Sequence, residues 1–150
     1  MSKRSSASKL AEPLDDLVFF VDRSLGRQHV VNALRGAGAT VHTHDEHFAQ
    51  DTTDTSWLET AGEKNWIVLT KDKRIQHRQL ERMALAAAGV RAFVITAAGL
   101  KGTEIASLLA GHLKRIANIA HSEPAPFIAR VGRSQVWVRY KRRSLLSRAR

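Results

Sequence analysis

The chain has no cysteine among its 150 residues, which excludes a disulfide framework, a thiolate zinc site and a thiol nucleophile, and removes any need for an oxidising compartment. A reducing cytoplasm is the expected setting. Long hydrophobic runs are also missing: near the N-terminus the longest is Leu17 to Val21, far short of a bilayer span or the apolar stretch of a signal peptide. No membrane partner is expected. Acidic residues are outnumbered, 14 Asp+Glu against 24 Lys+Arg for a formal charge of +10, and such an excess attracts polyanions because bound phosphates release their counterions. Nucleic acid is the first expected partner. A chain of this length buries about 70% of the surface its unfolded form exposes, so one compact core is the expectation.

Residues 1–16 lack periodic apolar spacing and are rich in Ser, Lys and Asp, so they read as a flexible leader. From residue 17 short β-branched or aromatic runs alternate with helical patterns, as in strand-helix-strand units around a parallel sheet. The runs at 17–22, 39–44, 66–70 and 91–96 predict four strands. A first helix carries Val30, Val31, Leu34 and Ala37 and stops at Gly36-Ala37-Gly38. A second runs from about Asp54 to Lys64, with Trp57, Leu58 and Ala61 inward. The third starts near Asp72 and places Leu80, Met83, Ala84 and Ala87 on a buried stripe, with Arg74, Arg78 and Arg82 together on another face. The fourth follows Gly102-Thr103 and turns Ile105, Leu108, Leu109, Leu113, Ile116 and Ala120 inward. Two further strands, 126–131 and 135–140, meet at a glycine turn before a basic tail that trails off. The expected class is α/β, a three-layer sandwich with a mostly parallel central sheet plus a C-terminal β-hairpin. Residues 17–123 form the main domain, and the hairpin and tail, 124–150, pack on it.

Function is carried by where the acids fall. Asp22 closes the first strand, Asp45 and Glu46 follow the second, and Asp72 follows the third by two residues. In an open parallel sheet these ends share the edge where ligands bind, and right-handed crossovers allow the second and third strands to flank the first. Asp22 and Asp72 are then neighbours. Asp54 reaches this edge if its loop folds back, or else caps its helix, in competition with a Ser56-x-x-Glu59 capping box. Two carboxylates about 4 Å apart repel by about 4 kcal/mol at an effective dielectric near 20, so such a cluster needs protons or cations. With oxygen ligands the matching cation is hard, Mg²⁺ or Mn²⁺, which shares phosphate oxygens with a substrate. Charge segregation agrees: Val41 to Glu63 holds six acids and no Lys or Arg, whereas after Glu123 there are eight Lys+Arg and no acid. An acidic cleft beside a basic track suits metal-dependent cleavage of nucleic acid.

Other residues carry weaker readings. His42, His44 and His47 form H-x-H-x-x-H, and strand alternation puts the first two on one face, yet no fourth ligand pattern accompanies them. Zinc is not expected there, though His47 could position a water or phosphate. Lys71 and Arg74 flank the proposed site and are expected to touch nucleic-acid phosphates. Trp57 and Trp66 read as core, while Trp137 and Tyr140, interleaved with Arg139 and Lys141, are either base-stacking groups or a structural cap.

The FFVDRSLG strand with Asp22 and Ser24, the D-x-x-W-L stretch from Asp54, and WIVLTKDKRI with Thr70 and Asp72 together resemble the PIN-like ribonucleases, especially the VapC-type toxins of bacterial toxin-antitoxin modules. The similarity covers about residues 17–120. It implies a helix-covered parallel sheet, a carboxylate metal site using Mg²⁺ or Mn²⁺, an RNA substrate and an antitoxin protein as partner; a second copy of the chain is a further candidate partner. On the matching positions, Asp22 is the family's first-strand acid, Ser24 the hydroxyl residue after it, Asp54 the acid a helix and a strand before the last motif, and Asp72 the acid of the T-x-D turn. The family's remaining acid, often a glutamate on an early helix, has no clean match; Asp45, Glu46 and Asp51 compete for it, and Asp45 ranks first because it directly follows a strand end. The resulting expectation is a metal-dependent endoribonuclease, with Asp22, Asp54 and Asp72 catalytic, Asp45 completing the metal ligands, and Ser24, Thr70, Lys71 and Arg74 meeting substrate. The alternative is a non-catalytic nucleic-acid-binding module with a degenerate site.

Overall fold

The computed structural model describes Leu14 and residues 16–26 and 28–148, with only the backbone of Asp54 and Arg148. Most of the expected leader, residues 1–13 and 15, lies outside the described residues, but Leu14 does not belong to a mobile segment: it is buried in the core.

Six strands form one sheet in the order β2-β1-β3-β4-β5-β6. They are β1 (Val18–Val21), β2 (Thr40–Thr43), β3 (Ile67–Thr70), β4 (Arg91–Ile95), β5 (Phe127–Val131) and β6 (Val136–Tyr140). Strands β1 to β5 run parallel and β6 pairs antiparallel with β5. Seven helices connect or flank them among the described residues: α1 (His29–Gly36), α2 (His44–His47), α3 (Asp54–Glu63), α4 (Arg74–His77), α5 (Gln79–Ala88), α6 (Gly102–Ser122) and α7 (Arg142–Arg148).

Both faces of the central strands are apolar because helices cover both. Phe19, Val21, Ile67, Leu69, Phe93, Ile95 and Phe127 point into a cluster with Val31 and Leu34 of α1 and Leu109, Leu113 and Ile116 of α6. The alternate residues Phe20, Val68, Ala92, Val94 and Ile128 meet Trp57 and Leu58 of α3, Ile75 of α4, Leu85 of α5 and Leu145 of α7. The three-layer α/β sandwich with its terminal hairpin is therefore present, and β2 and β3 flank β1 as expected.

Three local expectations are corrected. The third helix is two helices, since Arg78 between them is extended (φ −95°, ψ 127°). The break resets the helical phase, so Leu85 and Ala86 are buried, while Leu80 is 78% exposed, Ala87 is exposed and Met83 and Ala84 are only partly covered. It also scatters the arginines: Arg74 sits on α4 beside Asp72, Arg78 lies in the link, and Arg82 on α5 donates to the Gln76 carbonyl and faces the Tyr140 ring. The basic tail does not trail off, because Leu145 gives α7 an apolar anchor against the sheet. Finally, the chain turns into α2 at His44, so His42 and His44 do not share a strand face.

Candidate active site

At the carboxyl ends of β1 and β3 the register pairs Val21 with Leu69, which sets Asp22 across from Thr70. The Asp22 N–H donates to the Leu69 carbonyl (3.0 Å), extending the ladder by one residue. A 3-10 turn, Arg23–Leu25, then lifts the chain off the sheet. This turn brings Ser24 back, so that Ser24 Oγ and Thr70 Oγ1 each donate to Asp22 Oδ2, both at 2.8 Å. Each hydroxyl has one proton and gives it to the carboxylate, leaving its oxygen to accept. Thr70 Oγ1 accepts from the Asp72 N–H (3.0 Å) and Ser24 Oγ from the Lys71 N–H (3.1 Å). The β3 exit is thus pinned to the β1 exit through two hydroxyls. Asp22 Oδ1 makes no hydrogen bond among the described residues.

Asp72 lies two hydrogen bonds from Asp22 but is engaged differently. Arg74 Nε reaches both of its oxygens at 3.0 Å, Arg74 Nη2 reaches Oδ2 at 2.5 Å, and the Arg74 N–H donates to Oδ1. These side-chain bonds, opposed in part by burial, hold the Asp72 carboxyl below the usual carboxylate range. A depressed folded-state value means that the pair stabilises the fold above the ordinary Asp value of 3.8 and that this contribution is lost as pH falls below it. Asp72→Asn should therefore lose stability less steeply than the parent through that acid range, measured by urea unfolding at a series of pH values.

Of the remaining candidates, Lys71 and Arg74 adjoin this centre and are exposed, while Asp54 and Asp45 sit on separate helices. Asp54 is the first residue of α3; Thr53, not Asp54 or Ser56, caps that helix, its hydroxyl accepting from the Ser56 N–H (3.3 Å). The Asp54 side chain lies outside the described residues. Asp45 is exposed on α2 and lines a cavity of about 400 Å³ together with Arg23, Asn32, Arg35, Thr43 and Glu46. Among the described residues Asp22, Asp45 and Asp72 do not bring three ligand atoms within 4.8 Å of one another, and the group that does is His42, Glu46 and His47.

Glu46 was legible as one of three competing acids, but its surroundings were not. It closes a capping box with Thr43, whose N–H donates to Glu46 Oε1 (2.9 Å), and its Oε2 accepts from Arg35 (3.2 Å). The Thr43 N–H, ahead of Arg35, holds the Glu46 carboxyl below its ordinary value. The T-x-x-E spacing of Thr43 and Glu46 was the available signal for α2. Burial, then the adjacent His47, lowers the His42 imidazole.

The donor chemistry at Asp22 suits a hard divalent cation. Every polar side-chain atom bonded to the Asp22 carboxylate is oxygen, and two hydroxyls fix Oδ2 while Oδ1 keeps its lone pairs for an incoming ligand. Asp72 fits as a ligand once Arg74 releases an oxygen or shares one.

Comparison with known proteins bears on this arrangement. The PIN like domain family model matches residues 17–97. A protein of Mycobacterium tuberculosis bearing the provisional name ribonuclease VapC45 is 35% identical over 121 residues, covering 78% of this chain and 87% of its own length. No solved structure matches significantly. With more than half its length matched by the family model and its sheet, switch point and β1 acid arranged as described, the chain belongs to the PIN-like domain family.

Proposed function

We propose that the protein is a VapC-type endoribonuclease, a toxin held in check by an antitoxin protein, that hydrolyses RNA phosphodiester bonds with the help of a divalent cation. The observation that carries this reading is the Asp22 carboxylate, oriented by Ser24 and Thr70 at the sheet's switch point with one oxygen left open. The Mycobacterium tuberculosis relative supports the reaction class through its name.

Asp22 would hold the cation through Oδ1 with Asp72 two hydrogen bonds away, and Asp54 and Asp45 are the further acids proposed to complete the ligand set. When bound, Mg²⁺ or Mn²⁺ supplies Lewis-acid chemistry, acidifying water and offsetting charge at phosphorus. The protein's part is positional. Ser24 and Thr70 prevent the Asp22 carboxylate from rotating, and their second bonds fix the backbone that carries Lys71 and Asp72. Lys71 is free to meet a substrate phosphate, and Arg74 can turn one guanidinium edge toward the same group while keeping the other on Asp72. The net charge of +10 attracts the polyanion to the protein.

The test is incubation of the full chain with a panel of folded RNAs, with Mn²⁺ or with chelator, beside Asp72→Asn. Cleavage by the parent that stops in chelator and falls at least about 100-fold in the variant is expected. Salt-sensitive RNA binding without metal-dependent cleavage would overturn it in favour of a binding module. Cleavage unchanged in the variant would place the chemistry elsewhere.

A further inference from the structure

We infer that His42, Glu46 and His47 form a binding site for a borderline transition-metal ion, Zn²⁺ by preference, that fastens α2 to the end of β2. The three residues come from two elements and converge on one point: one ligand atom from each lies within 4.8 Å of the others. His42 Nδ1 and His47 Nε2 are 2.9 Å apart, so the two ring nitrogens already face each other. Zinc bonds imidazole nitrogen at about 2.0–2.1 Å, and a tetrahedral site separates two such nitrogens by about 3.3 Å, so only a few tenths of an ångström of opening is required.

The ligands are held in place before any metal arrives. His42 stacks on Trp66 with ring centres 5.1 Å apart and planes at 21°. His47 packs on the same indole at 4.9 Å, which fixes the second ring. The capping box fixes Glu46. Its two oxygens each accept one bond, from Thr43 and from Arg35, and a carboxylate offers about four lone-pair sites, so one remains for a metal without breaking either. Two imidazoles and one carboxylate, with water as a fourth ligand, suit Zn²⁺, Co²⁺ or Ni²⁺ far better than Mg²⁺, which prefers oxygen alone. The site therefore differs in chemistry from the oxygen donors at Asp22 and does not depend on the ribonuclease reading.

The geometry departs from the H-x-H-x-x-H pattern in an instructive way. The middle histidine leaves the set: His44 is buried against Phe20 and Phe48. Glu46 takes its place because α2 turns it toward the two outer rings.

The experiment is isothermal titration of the full chain with Zn²⁺, beside His47→Ala, Glu46→Gln and Asp22→Asn, with Trp fluorescence followed during a parallel Ni²⁺ titration. One Zn²⁺ should bind with micromolar affinity, weakened about 100-fold in His47→Ala and about 10-fold in Glu46→Gln, and unchanged in Asp22→Asn. Ni²⁺ should quench the parent's fluorescence at one equivalent and fail to do so in His47→Ala, because both histidines touch Trp66. His47 is exposed, so its loss leaves the fold intact, which circular dichroism checks. Zn²⁺ binding of equal strength in His47→Ala, weakening in Asp22→Asn, or no binding in the micromolar range would each overturn the assignment.

Discussion

RNA cleavage by the full chain should fall about 1,000-fold in Asp22→Asn, with no more than about 4–8 °C lost in Tm. The two effects separate because the substitution is nearly isosteric. The carbonyl oxygen of the new side-chain amide can still accept from both Ser24 and Thr70, so the link between the β1 and β3 exits survives. What disappears is the charge and the open oxygen, since an amide nitrogen now occupies the position of Oδ1 and can only donate. Each hydrogen bond to a charged acceptor is worth about 1 kcal/mol more than one to a neutral acceptor, so the two from Ser24 and Thr70 bound the stability cost at this half-buried position at about 2 kcal/mol. A 1,000-fold rate loss corresponds to about 4 kcal/mol, well beyond that bound. Retained cleavage in a well-folded Asp22→Asn would remove the acid from the mechanism.

The framework behind that prediction is largely legible in the sequence. Strands β1, β3 and β4 are buried almost throughout, so they stand out as apolar runs, and the acids just past β1 and β3, Asp22 and Asp72, are conspicuous. That Asp22 and Asp72 meet at one switch point is the expectation that strand order carries, whereas the register that sets Asp22 across from Thr70 is not legible in it. What could not be read was anything that depends on a single backbone angle. The helix after Asp72 had a convincing 3.6-residue stripe through Leu80 and Met83, but the extended backbone at Arg78 shifts the phase and leaves Leu80 in solvent. His44 looked like a strand residue because β-branched Thr43 precedes it, whereas Thr43 instead caps a helix and turns His44 inward. Contacts between long side chains were equally hidden. Arg74 read as a group for phosphate, and nothing in its spacing disclosed that it would grip both oxygens of Asp72.

Gly62→Ala should lower Tm by about 6–12 °C, an effect no sequence pattern announces. Gly62 lies on α3 where that helix crosses α5, and a Cβ built there would stand 1.9 Å from the Ala88 carbonyl oxygen and 2.8 Å from its carbon. Both atoms are backbone, so no side chain can rotate away. The helices must move apart, which loosens Trp57, Leu58 and Ala61 against Leu85 and Ala86. Alanine favours a helix interior over glycine by about 1 kcal/mol, but overpacking that commonly costs about 1–3 kcal/mol reaches about 4 kcal/mol against rigid backbone, leaving a net loss of about 3 kcal/mol. Gly36→Ala supplies the opposite sign under the same chemistry. Gly36 ends α1 and a Cβ there meets nothing within 4 Å, so the propensity gain is unopposed and Tm should rise slightly. Thermal unfolding followed by circular dichroism reads both. A Gly62→Ala protein as stable as the parent would mean that α3 and α5 do not make this close crossing, and the layer that covers Phe20 and Val68 would have to be redrawn.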